Sequence, residues 1–179
     1  MSKKVLILSS SFRKGGNSDT LCDQFAMGAR DAGHAVEKIF LNDKHIGYCR
    51  GCGVCNTTHK CIQKDDMAEI LNKMVEAEVI VMGTPVYFYS MNGQMKTLID
   101  RTVPRYEEIS GKEFYFIVAA ADSSHANMEK TLEAFRGFTN DCLPGATEKG
   151  VIYGTGAWKI GVITTSPAMQ EAYEAGKNI

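Results

Sequence analysis

Three stretches of this chain are apolar almost without interruption: residues 5–8 (Val-Leu-Ile-Leu), 79–82 (Val-Ile-Val-Met) and 114–121 (Phe-Tyr-Phe-Ile-Val-Ala-Ala-Ala). Runs of this length, bounded by Gly, Ser, Pro and Asp, are the pattern of strands covered on both faces, as in a parallel sheet. Such a sheet needs crossover helices above and below it. The spacing predicts them over Thr20–Ala32, Met67–Ala77, Gly93–Thr102, Asn127–Cys142 and Ala168–Gly176, with Gly33 just past the first and Pro167 opening the last. Two more mixed segments, Ala35–Phe40 and Gly150–Tyr153, read as edge strands. Strands alternating with helices give an α/β class, a doubly wound five-stranded parallel sheet with helices on both faces.

At 179 residues the chain is expected to form one domain over 1–179, with a core needing no covalent staples. A net charge of −1 without a basic stripe speaks against nucleic acid as a partner. No segment approaches the roughly 20 apolar residues of a membrane span. Lys3-Lys4 followed by four apolar residues is too short for a secretion signal. The expectation is a cytoplasmic protein whose six cysteines stay reduced. Four of them crowd a stretch without a convincing element, at about 42–64, and long loops of that kind are usually functional.

Two loops carry candidate chemistry. Ser9-Ser10-Ser11-Phe12-Arg13-Lys14-Gly15-Gly16-Asn17-Ser18 joins the first strand to the first helix. It offers hydroxyls, small residues and free N–H groups at a helix N-terminus, where a phosphate dianion is held best, and Arg13 adds a forked charge. It lacks the lysine of a Walker loop and the glycines of a dinucleotide fingerprint. Thr84-Pro85-Val86-Tyr87-Phe88-Tyr89 follows the third strand. In a doubly wound sheet the two loops would be neighbours at the switch point.

These residues resemble a known family. The first loop is similar to the Gly-Ser-Pro-Arg-x-x-Gly-Asn-Thr loop of NAD(P)H-dependent FMN reductases of the flavodoxin superfamily. The second, with Met91-Asn-Gly-Gln-Met-Lys96 and Ile99-Asp-Arg101, looks like their second flavin loop. Ser11-Phe12 replaces the usual Ser-Pro, and Asn92 stands where Ser is common. The resemblance implies a flavodoxin-like fold with strand order 2-1-3-4-5 and FMN as cofactor. It implies that Ser9, Ser11, Phe12, Arg13, Asn17 and Ser18 surround the phosphate, that Thr84, Pro85, Val86, Tyr87 and Phe88 line the ring, and that Asp122 closes a third side. It further implies a homodimer or homotetramer.

Cys49-x-x-Cys52-x-x-Cys55-x5-Cys61, followed by Asp65-Asp66-Met67, resembles the iron-sulfur flavoprotein branch of that family. Four readings of the quartet stand: a 4Fe–4S cluster, a site present but empty, a structural zinc with His59 as substitute ligand, and a Cys52/Cys55 redox pair. Cys22 and Cys142, alone in helix stripes, are expected in the core. Asp65 or Asp66 is expected to cap a helix, and Asp100-Arg101 to be structural, in an ion pair between subunits.

The function implied is an FMN-dependent oxidoreductase. It takes hydride from NAD(P)H as co-substrate and passes electrons to a small-molecule or redox-protein acceptor, with the quartet as a candidate 4Fe–4S relay. No side-chain catalyst is expected, because the flavin performs the chemistry. Two alternatives remain: an electron carrier between protein partners, and a non-redox module using the quartet for zinc.

Overall fold

The computed structural model describes all residues, Met1–Ile179. The sheet contains β1 (Lys4–Ser9), β2 (Ala35–Phe40), β3 (Val79–Tyr87), β4 (Ser90–Met91), β5 (Glu113–Ala119) and β6 (Thr147–Gly154). Five of these run parallel in the order β2-β1-β3-β5-β6, which is the expected 2-1-3-4-5 arrangement. The sixth strand is a correction. β4 is two residues long and folds back antiparallel on the end of β3, pairing Val86 with Met91 and Tyr87 with Ser90. It forms because β3 runs on to Tyr87, past the expected strand Val79–Gly83, and a tight hairpin returns the chain.

Helices α1 (Asn17–Asp31), α2 (Cys55–Thr58), α3 (Met67–Glu76), α4 (Gly93–Asp100), α5 (Glu129–Cys142) and α6 (Ala168–Lys177) complete the chain, with short 3₁₀ turns between. The pleat divides the core in two. Leu6, Leu8, Ile80, Met82, Phe114 and Phe116 face α3, α4 and α5, while Val5, Ile7, Val79, Val81 and Ile117 face α1 and α6. The central strands β1, β3 and β5 are almost wholly buried, whereas β2 alternates, as an edge strand with one covered face should. No helix is long and apolar enough to cross a membrane.

α1 and α6 pack backbone to backbone. A Cβ on Gly28 would lie 2.0 Å from the Tyr173 carbonyl oxygen, and one on Gly176 would lie 2.1 Å from that of Phe25. Cys22 is buried against β3, with its thiol pushed up to about 12 by burial. Cys142 is exposed, contrary to expectation: it is the last residue of α5, beyond the stripe of Leu132, Phe135 and Phe138.

Candidate functional site

The carboxyl ends of β1, β3 and β5 open on one cavity of about 820 Å³. Its first wall is the β1–α1 loop, through Ser11, Arg13, Gly16, Asn17 and Ser18. α1 starts at Asn17, three residues before its apolar stripe suggests, and Gly16 caps it with no side-chain hydrogen bond. The N–H groups of Ser11, Phe12, Asn17 and Ser18 donate to no acceptor of the chain. A helix end that presents bare donors beside an arginine is suited to a phosphate.

The second wall is the β3–β4 hairpin, through Pro85, Val86, Tyr87, Phe88 and Tyr89. Phe88 (φ 50°) and Tyr89 (φ 62°) are both left-handed, the backbone of a two-residue hairpin turn normally given to Asn and Gly. Holding bulky side chains there costs roughly 1–2 kcal/mol per residue. Strain of this kind concentrates where a ligand is clamped. Phe88 is fully exposed at the tip, and Lys130 Nζ stands 5.4 Å from the centre of the Tyr89 ring.

The third wall follows β5: Ala119–Asp122, Asn127 and Met128, with Ala157 and Trp158 beside them. Asp122 organises it. Its Oδ1 accepts the Ser124 N–H and its Oδ2 accepts Asn127 Nδ2, both at 2.8 Å. These bonds, the Ser124 N–H first, hold its carboxyl below the usual carboxylate range. Its own carbonyl accepts the Gly156 N–H, which draws in the segment bearing Trp158.

The cavity therefore gathers Ser11, Arg13, Asn17, Ser18, Pro85, Val86, Tyr87, Phe88 and Asp122 from the expected set. It leaves out three. Ser9 is fully buried and gives its hydroxyl to Asp19. Thr84 is fully buried and accepts the Asn92 N–H at 3.1 Å. Phe12 points outward and is half exposed. Asn17 lies in the wall, but both its amide donations go to the carbonyls of Ala157 and Lys159 at 2.9 Å. Its Oδ1 stays buried without a partner, an acceptor suited to a hydroxyl rather than to a phosphate oxygen. Asn92 caps α4 by accepting the Met95 N–H, and donates at 2.5 Å to the Ser10 carbonyl, tying the two main loops together.

A second cavity, of about 230 Å³, is bordered by Cys49, Cys52, Cys55 and Cys61 together. Gly51 and Gly53 are left-handed, which lets the backbone coil around it. No three ligand-type side chains converge where one metal ion could sit. Arg101, at the far end of α4 and 2% exposed, forms the floor. It makes a forked pair with Asp65 at 2.7 and 2.9 Å, donates to the Gly47 carbonyl at 2.6 Å, and places Nη2 3.5 Å from Cys61 Sγ. The expected intersubunit pair is thus an internal clamp. Burial pushes the Asp65 carboxyl up, but the hydrogen bonds from Arg101 and from the Gly47 and Met67 N–H groups outweigh it and hold the group low. Asp66 occupies the N-cap position of α3 without a side-chain bond to the helix and accepts the His45 N–H at 2.6 Å, while Asp65, one residue earlier, accepts the Met67 N–H at 3.2 Å.

Residues 3–139 match the family model described as NADPH-dependent FMN reductase. The chain belongs to the NADPH-dependent FMN reductase family. An iron-sulfur flavoprotein of Archaeoglobus fulgidus is 39% identical over 102 residues, 57% of this chain and 46% of that protein. One from Methanocaldococcus jannaschii is 41% identical over 101 residues, 56% of this chain and 52% of that protein. The chain spans about half the length of these curated relatives. Among solved structures, an FMN-dependent NADH-azoreductase of Bacillus anthracis in complex with FMN superposes with a TM-score of 0.75 at 14% identity, covering 98% of each chain, a likeness of fold.

Within this cavity, sequence reasoning passes over Asn127, which the Asp122–Asn127 bond holds in the wall, and Met128, which core packing places there. Trp158, three-quarters exposed, reaches the wall through the Gly154–Ala157 return, which no local pattern announces.

Proposed function

We propose that the chain is an oxidoreductase that binds FMN in the larger cavity, draws electrons from NAD(P)H and delivers them to a small-molecule or protein acceptor. One observation carries this reading: three loops from consecutive strand ends surround one cavity, with the uncapped α1 N-terminus and Arg13 at one end and the aromatic hairpin along a side. Bound FMN supplies hydride acceptance and release of electrons singly or in pairs. The chain's part is to hold and exclude. The Asn17 and Ser18 N–H groups and Arg13 bind the phosphate, Asn17 Oδ1 takes a ribityl hydroxyl, and Pro85, Val86 and Tyr87 wall the ring from water. Asp122 keeps Asn127 in place beside it.

We read the quartet as the seat of a 4Fe–4S cluster held by Cys49, Cys52, Cys55 and Cys61, because all four residues line one small cavity over a buried arginine. Such a cluster supplies one-electron transfer. The exposed Phe88, Trp158 and Ile160 suit a second copy of the chain, a homodimer that light scattering of the purified protein would detect.

Anaerobic purification with an absorption spectrum, an iron, sulfide and zinc count, and titration with FMN tests the reading. Protein that takes up no flavin refutes it. Zinc at one per chain without iron refutes the cluster alone. Stopped-flow mixing with NADH and NADPH separates an enzyme, which bleaches the flavin, from a carrier, which does not.

A further inference from the structure

Beneath the β1–α1 loop lies a carboxylate that the reading above does not use. Asp19, the third residue of α1, is 3% exposed. Its Oδ2 accepts the Gly15 N–H at 2.9 Å and its Oδ1 accepts the Ser9 hydroxyl at 2.7 Å. Lys38, from the edge strand β2, brings Nζ to 2.6 Å from the same Oδ1, donates to the Asp19 carbonyl at 3.3 Å, and pairs with Asp23 at 2.6 Å. Burial pushes Asp19 up, but Lys38, Ser9 and Gly15 outweigh it and hold the group ionised. Burial likewise works against the Lys38 charge, and its two carboxylates prevail.

A carboxylate in the first turn of a helix draws on the same positive end that holds a phosphate. Two buried anions at one helix end repel with little screening. By itself Asp19 would fasten the loop and oppose the dianion. Lys38 lines no part of the cavity and cannot be a ligand from behind the loop.

We propose that Lys38 is a positioning residue that selects for a phosphorylated flavin: it cancels the Asp19 charge, so the carboxylate clamps Gly15 and Ser9 while the α1 N-terminus stays open to a phosphate monoester. The proposal rests on the assignment of FMN to the larger cavity and concerns the phosphate end alone. It predicts discrimination between FMN and riboflavin, which differ only in that group.

The test titrates the full chain, freed of flavin, with FMN and with riboflavin by fluorescence. The unmodified protein examines the FMN assignment by itself: equal affinities remove the phosphate site, and the proposal with it. With an FMN preference established, Lys38→Met weakens FMN by about tenfold or more and leaves riboflavin within about twofold, since only the dianion is repelled by the uncompensated Asp19 charge. Lys38→Arg keeps the preference. Asp19→Asn combined with Lys38→Met carries neither charge and regains it, and this variant carries the test should Lys38→Met fold poorly. Parallel loss of both ligands in Lys38→Met overturns the proposal, as does an FMN preference that stays lost in the double variant.

Discussion

Replacing Arg101 by leucine strands Asp65. The two side chains are 2% and 5% exposed, and the guanidinium makes four contacts: two to Asp65, one to the Gly47 carbonyl and one to Cys61. An exposed ion pair contributes about 0–1 kcal/mol. Removing one partner of a buried pair costs about 3–5 kcal/mol, because the remaining charge has no compensation. Burial decides between these figures, so Arg101→Leu is expected to lower stability by about 3–5 kcal/mol in urea unfolding at pH 7. Adding Asp65→Asn should restore more than about 1 kcal/mol, the size of coupling expected in one network. The pH dependence follows from the depressed Asp65 carboxyl. A group held below its unfolded value of about 3.9 stabilises above that pH and loses its contribution as pH falls through the folded value. The variant has no such pair to lose, so the gap between the proteins narrows below about pH 4. A loss under about 1 kcal/mol at pH 7, or a gap that widens in acid, refutes the clamp.

Arg13→Ala should weaken FMN binding by about 1.5–3 kcal/mol, the range for a charged hydrogen bond, read by fluorescence titration. Unchanged affinity would remove Arg13 from the phosphate site. Cys55→Ser should abolish iron incorporation while flavin binding persists, because the two cavities share no lining residue; loss of both in iron and flavin assays contradicts that separation. Gly176→Ala sets a methyl 2.1 Å from the Phe25 carbonyl oxygen, so α1 and α6 must part. The overpacking cost of about 1–3 kcal/mol corresponds to roughly 2–9 °C in the melting temperature of a chain this size. An unchanged melting curve would show that the helices separate freely.

The buried parallel strands were legible because β1, β3 and β5 lack polar interruption, whereas their order came from the family resemblance of the two main loops. The ends were less so. β6 begins at Thr147, three residues before the apolar pattern, because Glu148 and Lys149 sit at an edge and break the run. β3 extends to Pro85 through pairing of Thr84 and Pro85 with Val118 and Ala119, contacts that lie 34 residues away in sequence, and on to Tyr87 through the β4 hairpin. Ser9 and Thr84 carry the hydroxyls expected of ligands, yet Asp19 and Asn92 engage them; both partners are ordinary polar residues until the fold brings them near. The quartet's spacing announced a shared site, but nothing local linked Arg101 to it across 40 residues.

α4 is fastened at both extremities: Asn92 grips the Ser10 carbonyl at one, and Arg101 grips Asp65 and Gly47 at the other. Its eight residues rise about 12 Å, a little over two turns of stiff backbone. It is a strut, and a strut transmits displacement along its length. The loops of the larger cavity and the floor of the cysteine-lined one thus hang on a single rigid element, which fixes the distance between the two chambers.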